Sequence, residues 1–345
     1  MKISTTLGFD GDPVRYARKA RDLESAGVDL VWSGEIYGFD LVSSLAYLAG
    51  QTTTLELMTG IIPVYSRTPA LIAHTAATID ALSGGRFHLG LGSSGPQVIE
   101  GWHGVPFDRP LQRTREVIEV CRKVWARQPL TYEGKTITLP LPAGQGTGLG
   151  KPLKLMAKPV REHIPVWIAA IGPKNVELAA EVAYGWQPIH FVPDRFQQVW
   201  GDALRAGAAK RPAELGPLQI MAGGTVALGS GPEVREAREA TRANVGFYVG
   251  GMGAREKNFY NELFHRYGWA DEAREIQDLF LSGRRDEAIA KVPDEYVDLA
   301  TLCGDPGYVR ERIGVYKEVG VTYLNITVVG DEPLKIFEQV KSWAE

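Results

Sequence analysis

The sequence predicts an α/β fold closed as a (β/α)8 TIM-type barrel with insertion segments. It reads as one domain over residues 1–345, with insertions near 140–162 and 250–293. Three observations predict this. Eight short apolar runs recur along the 345 residues. Nearly all of them are separated by stretches of helical period. Glycines and prolines punctuate the joints. Alternation of this kind implies a parallel sheet, and eight units suggest closure, with a doubly wound open sheet as the alternative.

Residues 2–9 read as the first strand. Asp12-Pro13 then opens a helix with a cap-like aspartate and a proline near the first turn. That helix carries Tyr16, Ala20 and Leu23 on one face and stops at Gly27. Residues 29–33 form the second strand, followed by a helix from about 40 to 50. Residues 55–59 form the third strand, and the next helix, Pro69–Leu82, is ended by Gly84-Gly85. The fourth strand is 86–92. A long amphipathic helix over 110–127 places Val117, Val120, Cys121 and Val124 at helical spacing. Residues 130–139 fit a small hairpin. The stretch 140–162 is rich in Pro, Gly and Lys, has no clear period, and is too long for a routine connection. Barrel rhythm resumes with a strand at 165–170, a helix at 174–183, a strand at 186–192 and a helix at 195–209. Residues 218–228 and 323–329 are the last two strands. Between them, 233–319 reads as mostly helical, interrupted at Gly250-Gly251-Met252-Gly253. The segments 141–158 and 250–269 are expected to cover the barrel mouth.

Composition narrows the function. The chain is 44% hydrophobic and 23% charged, with a formal net charge of −3 and no block of Lys or Arg. That balance argues against a nucleic-acid partner. Its two cysteines, Cys121 and Cys303, are far apart and lack metal-ligand spacing. A disulfide framework and a metal site are therefore not expected, and a cytoplasmic setting is the simplest. The first residues lack the apolar core of a signal peptide, and no apolar run reaches membrane-spanning length, so no membrane partner is expected.

In a barrel, active sites sit at the C-terminal strand ends, so the residues after each strand are the candidates. After strand two comes Glu35, a carboxylate able to act as acid, base or acceptor, or merely to cap and be solvated. After strand three, Gly60 permits a bulge, Pro63 and Pro69 stiffen the loop, and Tyr65 and Arg67 are placed to meet an anionic ligand or a neighbouring subunit. After strand four, Gly92-Ser93-Ser94-Gly95 offers bare N–H groups and hydroxyls with little bulk, a cradle for a phosphate-bearing ligand. Gly90 to Gly95 matches GxGxxG literally, but no acidic ribose-binding residue follows at the expected distance. After strand five a helix begins directly behind Gly172, its free N–H groups and Lys174 forming an anion site or a plain cap. After strand six, His190 is either a proton donor or a structural histidine.

The runs 59–69, 83–104 (SGGRFHLGLGSSGPQVIEGWHG) and 169–175 together resemble the bacterial luciferase-like superfamily. More closely they resemble its branch that uses coenzyme F420, a deazaflavin. The similarity covers nearly the whole chain. It implies a TIM-type barrel and a non-prolyl cis peptide at the end of strand three, for which Gly60-Ile61 is the match, backing the cofactor ring. It also implies that Gly92, Ser93, Ser94, Gly95, Gln97 and Val98, with Ala170, Ile171 and Gly172, hold the cofactor tail and its phosphate. Members that act on sugar phosphates or in methanogenesis carry an Asp-His pair after strand two, where this chain has Gly34-Glu35. Activity on glucose 6-phosphate is therefore not carried over. The expectation is an oxidoreductase passing a hydride between the deazaflavin and a small organic substrate, with Glu35, His190 or Tyr65 managing the proton. An FMN-dependent monooxygenase and a non-catalytic flavin-binding protein are the alternatives. A homodimer is expected.

Overall fold

The computed structural model describes residues 1–8, 12–253 and 255–345. Eight parallel strands close on themselves. They are β1 (Lys2–Thr6), β2 (Leu30–Ser33), β3 (Glu56–Thr59), β4 (Phe87–Gly92), β5 (Val166–Ala169), β6 (Gly185–Gln187), β7 (Gln219–Ala222) and β8 (Tyr323–Asn325). Each pairs in parallel with the next, and β8 returns to β1 through Lys2 opposite Tyr323. The open-sheet alternative is thereby excluded. Phe9, the expected end of the first strand, lies outside the described residues.

Helices α1 (Pro13–Ser25), α2 (Leu41–Ala49), α3 (Pro69–Leu82), α4 (Pro110–Trp125), α5 (Pro173–Val182) and α6 (Phe196–Ala208) follow the first six strands. Their starts are written in the sequence. Asp12, Asp40 and Thr68 each accept from a first-turn N–H, which satisfies donors the helix itself leaves free. After β7 come α7 (Pro232–Gly251), α8 (Phe259–Tyr267), α9 (Ala270–Leu281), α10 (Arg285–Ala290) and α11 (Asp294–Ala300). The chain returns through α12 (Pro306–Glu318) to β8 and ends in α13 (Pro333–Ala344).

Several boundaries differ from expectation. The sixth strand stops at Gln187, and His190, three residues further on, takes a left-handed φ of 52°. The long last runs each break in two. Gly223-Gly224 separates β7 from a second strand, Thr225–Leu228, and Ile326 separates β8 from Thr327–Val328. Thr225–Leu228 is the central strand of a three-stranded parallel sheet, with Thr327–Val328 on one side and, on the other, Leu302–Gly304, a strand inside the region expected to be mostly helical. Helix α7 runs through Gly250 and Gly251, so the expected interruption begins later. Both glycines lie against Phe280, whose ring atoms leave no room for a side chain. The segment 141–158, expected to cover the mouth, is tied in its last part to the chain just after α4, where Leu130 N donates to Leu153 O at 2.7 Å and Arg127 Nε to Leu155 O at 3.2 Å. Arg161 pairs with the fully buried Asp80 and donates to Phe87 O at the opposite, N-terminal end of β4. The small hairpin is present as Tyr132–Glu133 against Thr138–Leu139.

The lower bore of the barrel is plugged by Leu30, Met58, Trp167, Met221 and Tyr323. Polar groups join them. Lys2 Nζ lies 2.6 Å from Glu56, Tyr323 OH donates to Glu56 at 3.2 Å, and Trp167 Nε1 donates to His88 Nδ1 at 2.9 Å. Burial, aided by the charges of Arg161 and Lys2, holds His88 down to about 3. A histidine kept neutral by folding favours the folded state above its unfolded pKa of 6.5, and that advantage is lost as pH falls from there toward the folded value. His190, lowered by burial to about 4, acts in the same direction. Between pH 6 and 5 each should remove up to about 1.4 kcal/mol of stability per pH unit. Chemical denaturation across that window should show the decline, and His88→Gln should make it shallower. Stability that holds level or rises on acidification contradicts the assignment.

Candidate active site

The ends of β2, β3 and β4 are built against one another. Gly60 N donates to Ser33 O at 2.6 Å and Glu35 N donates to Ile61 O at 3.1 Å, so the chain after β3 is laced to the end of β2. Beyond it, Ile62 and Pro63 pair with Leu91 and Gly92, and Val64 N donates to Gly92 O at 3.0 Å. The Gly60–Ile61 peptide is cis, as the resemblance implies. A side chain at residue 60 would meet the Trp32 ring at 2.5 Å, and one at residue 92 would meet Ile61 at 3.0 Å. The bulge is thus wedged between an indole and the glycine that opens the strand-four turn. The indole is itself held, since Trp32 Nε1 donates to Asn325 Oδ1 at 2.8 Å.

Glu35 stands beside this bulge, and both of its carboxylate oxygens are taken. Arg67 Nη1 and Nη2 reach Oε1 and Oε2 at 2.6 and 2.9 Å, and Nη2 also reaches Asp40 at 2.8 Å. Burial alone would make the guanidinium easier to deprotonate, but hydrogen bonds and charge from Glu35 outweigh it and raise its pKa. Arg67 therefore pairs with two carboxylates of its own chain, Glu35 and Asp40. This fork-to-fork pair joins the loop after β2 to the loop after β3. A cleft of about 280 Å³ opens beside it, lined by Glu35, Phe39, Arg67, Trp102 and His103 among others. Tyr65 is buried, and its hydroxyl donates to Asp108 O at 2.6 Å. Arg113 lies 4.9 Å over its ring. With the hydroxyl so engaged, the arrangement supports a packing role for Tyr65.

The strand-four turn continues the seat. Ser94 takes a left-handed φ of 57°, and Gly95 begins the short helix Pro96–Gly101 without a side-chain cap. Gln97 is exposed and Val98 half-buried on that helix. Further round, Gly172 caps α5, again with no side-chain hydrogen bond, and a side chain built there meets nothing within 4 Å. The helix start is thus open and presents its dipole to whatever approaches. Lys174 turns away from it, paired with Glu177 at 2.9 Å. Ala170 is buried, and Ile171 O accepts from Trp200 Nε1 at 2.7 Å and from Arg266 at 3.1 Å.

His190 lies three residues beyond the end of β6. Its carbonyl accepts from Tyr267 OH at 2.9 Å, and its Nδ1 is 3.3 Å from Tyr296 OH. Its Nε2 is buried without a hydrogen-bond partner among the described residues.

A family model described as luciferase-like monooxygenase matches residues 3–323. The chain belongs to that family. Among relatives of this luciferase-like chain, a Mycobacterium tuberculosis protein provisionally named a coenzyme F420-dependent oxidoreductase is 40% identical over 338 residues, covering 97% of both chains. A 5,10-methylenetetrahydromethanopterin reductase from Archaeoglobus fulgidus is 30% identical over 305 residues, 87% of this chain and 85% of the relative. The structure of coenzyme F420-dependent tetrahydromethanopterin reductase from Methanopyrus kandleri superposes with a TM-score of 0.77, covering 98% of this chain and 96% of that one at 24% identity. That last likeness is one of fold.

Sequence reasoning overlooked several residues of this luciferase-like mouth. Trp32 and Asn325 support the bulge from β2 and β8, and Gln187 ends β6 with a buried Oε1 that has no partner among the described residues. A signal existed for Asn325, the one amide within an apolar run over 321–329. No comparable signal marks the pairing of Arg67 with Glu35, 32 residues apart.

Proposed function

We propose that the chain is a coenzyme F420-dependent oxidoreductase that passes a hydride between the deazaflavin and a small organic substrate. The observation that carries this reading is the bulge at Gly60-Ile61, held by β2, supported by Trp32 and set against Gly92. It forms a firm wall beside a strand-end turn of small residues. The names of the relatives that span the chain support the choice of cofactor.

The residues present fit such a group. Open space at Gly172 and the uncapped start of α5 suit a phosphate, and the Gly92–Gly95 turn leaves backbone N–H groups for a polar tail. In this reading Gly92, Ser93, Ser94, Gly95, Gln97 and Val98 line the tail, Ala170, Ile171 and Gly172 take the phosphate, and Gly60 and Ile61 back the ring. When bound, the deazaflavin supplies the ring carbon that gains or gives up the hydride. The protein's part is orientation. Glu35, locked by Arg67, fixes the wall, and His190 is the group left to meet the substrate.

A fluorescence titration should show tight binding of coenzyme F420 and weak binding of FMN. Anaerobic turnover of reduced F420 with an organic acceptor should follow. Tight FMN binding with oxygen-dependent turnover would replace this reading by a monooxygenase. Binding of either cofactor without any turnover would replace it by a carrier.

A further inference from the structure

The inserted helices bring three tyrosines around His190 that the reading above does not employ. Tyr248 on α7 and Tyr260 on α8 present their rings edge-on to the imidazole, with centroids 5.0 and 5.8 Å away. The two rings also meet each other at 4.7 Å. Tyr296 on α11 is fully buried, and its hydroxyl faces His190 Nδ1 at 3.3 Å.

Counting donors decides the tautomer. If Tyr296 O–H donates to Nδ1, the imidazole carries its proton on Nε2, and that N–H is the one group without a partner. If Nδ1–H donated to the tyrosine oxygen instead, both the tyrosine proton and the Nε2 lone pair would be stranded in a buried place. Each stranded group costs free energy, so the first arrangement wins. His190 is also neutral across the physiological range, and burial alone accounts for its lowered pKa, with no charged side chain contributing. Tyr267 takes its carbonyl, and Tyr248, Tyr260 and Tyr296 meet its ring.

We infer that this corner recognises the substrate, and that the substrate is an uncharged carbonyl compound or alcohol whose oxygen accepts from His190 Nε2–H. The inference rests on the F420 reading of the mouth. A neutral donor held in one tautomer suits a carbonyl or hydroxyl oxygen. A carboxylate or phosphate would enter a buried corner that offers no counter-charge, at a large desolvation cost. Tyr248 and Tyr260 are half-buried, and on this inference their rings turn aside to admit the ligand to the buried Nε2. Once it is seated they form flat apolar walls. Tyr296 is a positioning residue, acting through His190.

The test uses protein loaded with oxidised F420 and labelled with 15N-histidine. Long-range 1H–15N spectra should show His190 as the Nε2–H tautomer. Its signal should shift saturably with cyclohexanone, cyclohexenone or benzaldehyde and stay put with cyclohexanecarboxylate. Tyr296→Phe should release the tautomer, giving a mixed signal, while leaving F420 affinity unchanged. His190→Asn should lower turnover of the best neutral carbonyl on the order of tenfold to a hundredfold, as expected for one lost hydrogen bond to the reacting oxygen. A shift with the carboxylate in place of the carbonyls overturns the inference. So does a His190 signal indifferent to every probe in protein that still binds F420, since the donor is then satisfied by a tyrosine face. Failure to bind F420 at all overturns the underlying reading, and this inference falls with it.

Discussion

Replacing Arg67 by methionine should destabilise the folded protein by about 3–5 kcal/mol, the range seen when one partner of a buried ion pair is removed. The side chains of Arg67 and Glu35 are only 14% and 9% exposed, so most of each charge is withdrawn from water, although the cleft beside the pair gives solvent one side of approach. Removing the guanidinium strands the Glu35 carboxylate and frees Asp40, whose ionised state is otherwise favoured by Ser43 and Arg67. The wall at Gly60-Ile61 should loosen as well, because Glu35 holds it through the backbone N–H beside that carboxylate. F420 affinity should therefore fall together with stability. Pairing Arg67→Met with Glu35→Gln should recover part of the stability, since the stranded charge is then gone. Denaturant unfolding of the two variants, with cofactor titration of each, measures both effects. A loss below about 1 kcal/mol for Arg67→Met would mean that water reaches the pair and that the clamp is a surface ion pair.

The second large effect separates two glycines that look alike in sequence. Gly172→Val should leave the barrel intact, because its side chain meets nothing within 4 Å and the residue has an ordinary negative φ of −70°. It should nevertheless cut F420 affinity by at least about a hundredfold, since a branched side chain would occupy the open start of α5 where the phosphate is placed. Gly92→Val should behave differently. Its side chain would press on Ile61 at 3.0 Å, so stability and binding should decline together. Circular dichroism and cofactor titration of both variants provide the contrast. Unchanged affinity in a folded Gly172→Val protein would remove this helix start from the cofactor seat.

Much of this could be read from the sequence because it depends on short-range pattern. All eight barrel strands were visible as apolar runs, and the cap Asp12 was visible as side-chain chemistry at a helix start, whereas Asp40 and Thr68 emerged as caps only in the folded chain. The strand-four turn was visible because four small residues in a row after a buried strand exceed what a connector needs. What stayed hidden depends on contacts between distant segments. Glu35 looked like a free carboxylate because its partner comes from the next loop. Tyr65 looked available because nothing local says that its hydroxyl meets Asp108 O. The segment 141–158 looked like a cover because its composition suits a loop, whereas contacts of Leu153 and Leu155 with Leu130 and Arg127 decide where its last part is fastened. The strand Leu302–Gly304 was missed because three residues carry too little periodicity to stand out among helices.

The three-stranded sheet above β7 and β8 has a consequence for how such a protein can diversify. The chain leaves the barrel along Thr225–Leu228 and comes back along Leu302–Gly304, which pairs with the very strand it left by. Thr327–Val328 closes the other side. The excursion over residues 229–301 thus departs from and returns to one clasp, so its ends stay fixed whatever lies between them. Helices bearing Tyr248, Tyr260 and Tyr296 can be exchanged, lengthened or re-lined while the clasp preserves the register of the barrel. Three of the tyrosines around His190 thus sit on a stretch of chain separate from the barrel strands, while His190 itself belongs to the loop after β6.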